Sequence, residues 1–127
     1  MPMALGLGLG ISFVQNSVGK PVADTLCQAI ATQVMITAIY DGVAITFAPL
    51  IVYELEGVSY VDGILEEDLP ALGNRPPAIT SLEVSALSAV SPTQTAFTIH
   101  PRIVPLLRRY QNVKCVVSAI QSGQDLG

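Results

Sequence analysis

The sequence predicts a mainly β protein: a β-meander that closes into a sandwich or barrel-like body, with one or two short helices and an extended N-terminal arm. Three observations carry this reading. Residues 36–66 consist of runs rich in Val, Ile, Tyr and Phe punctuated by three acidic-glycine dipeptides, Asp41-Gly42, Glu56-Gly57 and Asp62-Gly63. A type I′ turn needs φ > 0 at both central positions, and such dipeptides between apolar runs are the strongest short-range hairpin signal. Further on, residues 79–90 and 95–99 show period-two alternation around Ser91-Pro92-Thr93, the pattern of another hairpin. At the N-terminus, Leu5, Leu7, Leu9, Ile11 and Phe13 alternate with Gly6, Gly8, Gly10 and Ser12, as one apolar and one nearly bare face of an extended strand.

Length and composition set the frame. A chain of 127 residues without a low-complexity linker fits one domain, read as 21–127, preceded by a Gly/Leu-rich assembly arm over 1–20. Half of the residues are apolar and 13% are charged, against about 25% charged in an ordinary soluble domain. So few charges leave apolar surface that neighbouring subunits would cover, the alternative being a monomer with a Ser/Thr/Gln surface. No membrane association is expected: the apolar part of residues 1–19 is only about a dozen residues, short of the ~20 that span a bilayer. It also lacks the basic leader and the cleavage site of a signal peptide.

Along the chain, Lys20-Pro21 ends the arm. Val22, Leu26, Ile30 and Val34 recur at helical spacing, which predicts a helix to about Gln33 and a strand after it, where Val34, Ile36 and Thr37 are β-branched. Strands are then expected over 36–40, 43–47, 50–55, 58–61 and 64–66, with Pro49 marking a bend. Residues 66–77, with three prolines, a glycine and an asparagine near their end, read as loop. Pro105 suits the start of a short helix, and residues 113–120 a last strand.

No catalytic motif is present. The glycines of the arm lack the spacing and context of a phosphate-binding loop. Glu66, Glu67 and Asp68 lack the spaced ligands of a calcium loop, so they read as solvated carboxylates, and no metal or cofactor is expected. His100 has no local acid, thiol or second histidine, which points to a hydrogen-bonded residue rather than a catalytic base. Cys27 and Cys115, the only cysteines, are expected to be reduced, buried thiols of a cytosolically made protein, with a disulfide as the alternative. Arg108, Arg109 and Tyr110 could touch nucleic acid, but a net charge of −4 and the absence of a wider basic patch argue against it.

Charge is segregated. Residues 41–83 hold eight acids and one base, Arg75, whereas Arg102, Arg108, Arg109 and Lys114 form a stretch without an acid. These blocks either pair within one fold or meet between subunits, where complementarity sets register and partner choice. The candidate interface residues are therefore Arg102, Arg108, Arg109, Glu66, Glu67 and Asp68, together with the apolar face of the arm.

The opening Met-Pro-Met-Ala-Leu-Gly-Leu-Gly-Leu-Gly-Ile-Ser-Phe, followed by a short, acidic, Ser/Thr/Ala-rich β domain, resembles small virion structural proteins of tailed bacteriophages: capsid decoration or cement proteins, head-tail and tail adaptors, and fibre anchors. The resemblance implies a homo-oligomeric virion subunit, made in the host cytoplasm, that contacts itself and other virion structural proteins without catalysis. It assigns no functional residue. A soluble protein-binding module and a ligand-binding β-barrel or enzyme stand as the other classes.

Overall fold

The computed structural model describes residues 21–69 and 78–118. The arm at 1–20, with Leu5, Leu7, Leu9, Ile11 and Phe13, lies outside the described residues, as does most of the Pro-rich loop. Helix α1 (Val22–Thr32) ends as expected: Gln33 adopts the left-handed conformation and its N–H reaches the carbonyls of Ala29 and Ile30. Its apolar stripe buries Leu26, Ala29 and Ile30.

The strands follow as β1 (Val34–Tyr40), β2 (Val43–Leu55), β3 (Val58–Leu65), β4 (Thr80–Glu83), β5 (Leu87–Ala96) and β6 (Val113–Val116). Among the described residues they form one antiparallel sheet in the order β4-β3-β2-β1-β5, with β6 pairing off this path onto β2. Two of the three acidic-glycine dipeptides are turns: Asp41 (φ 51°) with Gly42 (φ 84°), and Glu56 (φ 53°) with Gly57 (φ 82°), have positive φ at both central positions.

The third dipeptide corrects the sequence reading. Asp62 and Gly63 lie inside β3, paired with Ile51 and Pro49 of β2 and with Ser81 and Thr80 of β4. Glycine is needed there for space: a Cβ on Gly63 would sit 2.2 Å from the Ala48 carbonyl oxygen and 2.7 Å from the Phe47 ring. Pro49 likewise does not divide β2. It sits at a register shift, where β1 has ended at Phe47 and β6 has not yet begun at Ile51 along the same edge. Ser91-Pro92-Thr93 is not a turn but the middle of β5. That strand pairs with β1 on one side only, so it accommodates proline, and Ala89 (φ 52°) marks one of its register shifts. The break in the 79–90 run falls instead at a 3₁₀ turn, Val84–Ala86.

That turn reveals how strongly the sheet coils. Glu83 is level with Tyr60 and Tyr53, whereas Leu87 is level with Tyr40 and Val43, ten residues further down β2. In a flat sheet the two would be more than ~30 Å apart, given about 3.3 Å per residue and 4.8 Å per strand. Four residue steps reach at most about 14 Å. The sheet must therefore close on itself, and bonds from Glu83 N–H to the Tyr40 hydroxyl (3.3 Å) and from Asp41 N–H to the Ala86 carbonyl (3.2 Å) fasten its edges.

The core follows from this closure. Phe47 to Val52 of β2 are buried without alternation, so both faces of the strand are covered. Helix α1 packs against β2, β5, β6 and β1. After β5, a 3₁₀ turn (Pro101–Ile103) runs into the short helix α2 (Val104–Leu107), which buries Ile103 and Leu107.

Cys27 and Cys115 form a disulfide, against the expectation of two reduced thiols. The cause is tertiary: the pairing of Cys115 with Val52 sets β6 under α1, and the two Cα atoms come within 5.7 Å although 88 residues separate them in sequence. Closing so long a loop restricts the unfolded chain by about 4–5 kcal/mol on the chain-entropy account. The pairing also removes the reason to expect a reducing compartment.

Gly63→Ala is expected to lower stability by about 3 kcal/mol or more, since backbone and a core ring, not a flexible side-chain end, occupy the space. Urea unfolding with both cysteines oxidised checks this; a loss below about 1 kcal/mol would mean that the β2–β3 contact yields easily.

Candidate functional site

The acidic block begins where β3 ends. Glu66–Asp68 form a 3₁₀ turn directly after Leu65, which pairs with Phe47; Glu66 and Glu67 are exposed and Asp68 is half-buried. Beside them lies the outer face of three strands. Thr37 stands between Thr46 and Ser91, and Ile39 between Ala44 and Ser88, as cross-strand rows. None of these six side chains is charged, and all but half-buried Thr46 are exposed. Glu66 and Glu67 form the rim of this patch together with Val43, which is 62% exposed. The patch is thus uncharged and mostly Ser, Thr and Ala, with two glutamates and an exposed valine at its margin.

The basic block sits elsewhere. Arg108 and Arg109 follow α2 and precede Tyr110, whose ring packs edge-on against Tyr53 with centroids 4.8 Å apart. Arg102, bonded to His100, lies beside the groove that Glu66 also lines, whereas Tyr53 is six residues along β2 from Phe47, so about 20 Å along the strand separates Arg108 and Arg109 from the acidic turn. That is roughly twice the Debye length at 0.1 M salt. Among the described residues the ion pair formed is Lys114 with Asp24, at 3.8 Å and well exposed; Glu66, Glu67, Asp68, Arg102, Arg108 and Arg109 form none. Pairing of the two blocks within the fold is thus not seen between described residues.

What holds the basic segment in place is a cluster that sequence reasoning missed. Asp62 is 3% exposed. Its Oδ1 accepts a hydrogen bond from the Tyr53 hydroxyl at 2.9 Å, and its Oδ2 accepts one from the Tyr110 hydroxyl. Tyr60, opposite Tyr53 on β3, stacks on it at 5.7 Å. Both tyrosine hydroxyls are held above their ordinary pKa, first by burial and then by their bonds to Asp62. Asp62 read as a turn residue because an acid followed by glycine between apolar runs usually is one, and its partner Tyr110 is 48 residues away in sequence.

A second feature unassigned from sequence is a groove of about 750 Å³ lined by Met35, Leu69, Ala96, Phe97, Ile99 and His100, with Glu66 at its edge. Gln33 positions one wall: its carbonyl accepts from Phe97 N–H at 3.0 Å and its side-chain amide donates to the Phe97 carbonyl at 3.2 Å. His100 caps the turn that follows, its Nδ1 accepting from Arg102 N–H at 3.1 Å. That bond occupies the Nδ1 lone pair and makes Nε2 the protonated nitrogen of the neutral ring, so His100 has no free lone pair for base chemistry while the cap holds.

Among the described residues no cluster of His, Cys, Asp and Glu could hold a metal ion, and no helix is long and apolar enough to cross a membrane. Comparison with protein-family models, curated proteins and solved structures finds no match in any of the three.

Tyr110→Phe deprives buried Asp62 of a donor and is expected to cost about 1–3 kcal/mol. Because the tyrosine pKa values are raised on folding, their contribution is fully present below pH 10 and is lost as pH rises beyond it. Unfolding free energy measured from pH 7 to 11 should fall above pH 10, and less steeply in the variant; parallel profiles would show that Tyr110 does not couple to folding.

Proposed function

We propose that this chain is a non-enzymatic structural subunit that assembles with copies of itself, as small virion proteins of tailed bacteriophages do, and that its place is in a virion among other structural proteins. The observation that carries the reading is the pair of separated, complementary surfaces: an uncharged three-strand face rimmed by Glu66 and Glu67, and a basic segment with Arg108, Arg109 and exposed Leu106 about 20 Å along the sheet. Complementary patches at different places on one subunit meet head to tail, and such heterologous contacts close into rings or extend into filaments. The low charge of the chain supports burial of further surface. A ligand-binding barrel is the second reading, favoured by the groove that brings His100 and Glu66 together.

Sedimentation velocity at micromolar concentration tests the assembly. The chain should form species larger than its 13.4 kDa monomer. Arg108→Glu with Arg109→Glu should weaken association at least tenfold and flatten its salt dependence, with the thermal melt unchanged. A chain that stays monomeric alone and with virion partners would refute the reading, and unfolding of the double variant would place the pairing inside the subunit.

A further inference from the structure

The groove beside Phe97 lies along residues 97–100, which belong to no helix or strand and of which Phe97 is bonded through both backbone groups to Gln33. Beyond Ala96, where β5 ends, Thr98 and Ile99 take part in no hydrogen bond among the described residues. Their N–H and C=O groups border walls formed by Met35, Leu69 and Phe97. A main chain that continues an edge strand with open bonding groups, set against apolar walls, is where β-strand addition can extend a sheet: backbone bonds give affinity and alternate side chains enter the pockets.

The chain carries a matching donor. Residues 5–13 are uncharged and place Leu5, Leu7, Leu9, Ile11 and Phe13 on one face of an extended strand, with glycines opposite that let another backbone come close. The arm joins the fold at Pro21, at the start of α1, whereas the groove lies by Gln33 at the helix's other end, about 16 Å away at 1.5 Å per residue. Residues 14–20 can span up to about 24 Å, reach enough for its own groove or a neighbour's; exchange of an identical element is a low-cost route to association, and the low charge of the chain favours the shared arrangement.

We infer that residues 5–13 of one copy add as a strand along residues 95–99 of a second copy, with the alternate apolar side chains in the groove lined by Met35, Leu69, Phe97 and Ile99. This rests on the self-assembly proposed above and names its site. Two full-length variants test it: Leu7→Glu with Leu9→Glu in the arm, and Ile99→Glu in the groove. Each alone should self-associate at least tenfold more weakly than the parent chain in sedimentation velocity. Mixed in equal amounts they should recover a heterodimer, because the intact arm of one meets the intact groove of the other. Unchanged association of either variant would remove the groove or the arm from the interface while leaving self-assembly standing. A mixture that recovers nothing would show that the arm serves its own chain, and a parent chain that is monomeric overturns both proposals together. Should Ile99→Glu lose its fold by circular dichroism, Ala96→Glu, at an exposed position on the same wall, decides the question in its place.

Discussion

The three-way pairing of β2 is the interaction on which the fold depends. This strand of 13 residues receives β3 along one edge and, on the other, first β1 and then β6. A strand with partners on both edges and cover on both faces exposes almost no backbone, which is why Phe47 to Val52 can be buried in succession. The arrangement forces the coil. Because β4 and β5 are joined by three residues yet lie at opposite edges of the sheet, the strands between them must wrap around Phe47, Leu50 and Ile64 until the edges meet. Close approach at Gly63 follows from the same wrapping, since β3 presses on Phe47 and Ala48 where β2 changes register.

The C-terminal segment adheres to this frame by means other than a long ladder. Strand β6 has four residues, too few to hold by pairing alone. The Cys27–Cys115 bond ties it to α1, and the Tyr110 hydroxyl ties the preceding turn to Asp62. Buried Asp62 is tolerated because each carboxylate oxygen has a tyrosine donor, as a buried polar group requires. Arg108 and Arg109 lie between α2 and this clamp, so the covalent bond and the hydrogen-bonded cluster together fix where the basic block is presented.

The proposed assembly would give these surfaces a common reason. On that proposal the three-strand patch, the basic segment and the groove are three places where a neighbour would cover the surface of a chain with few charges. Beta-strand addition at the groove would supply orientation through main-chain bonds, while the charge blocks would select the register of approach.

Much of the secondary structure was legible in the sequence because its causes are local. The I′ turns at Asp41-Gly42 and Glu56-Gly57 follow from the backbone freedom of glycine, and the helix over 22–32 from its apolar spacing. Local composition also marked the charge blocks. Local rules failed wherever a residue's role was set by a distant partner. Asp62-Gly63 has the composition of a turn but lies in a strand, because Tyr53 and Tyr110 satisfy the acid and the carbonyl of Ala48 leaves room only for glycine. Pro92 looked like a turn residue but sits in an edge strand, where a missing donor is tolerated. Cys27 and Cys115 looked unrelated until β6 came under α1. Sequence alone thus determined the mainly β class, the helix over 22–32 and the two hairpins at Asp41-Gly42 and Glu56-Gly57, since those depend on neighbours a few residues away. Tertiary structure decided the closure of the sheet, the disulfide, the buried carboxylate and the groove, since each arises from contacts between residues that only the coiled β2 brings together.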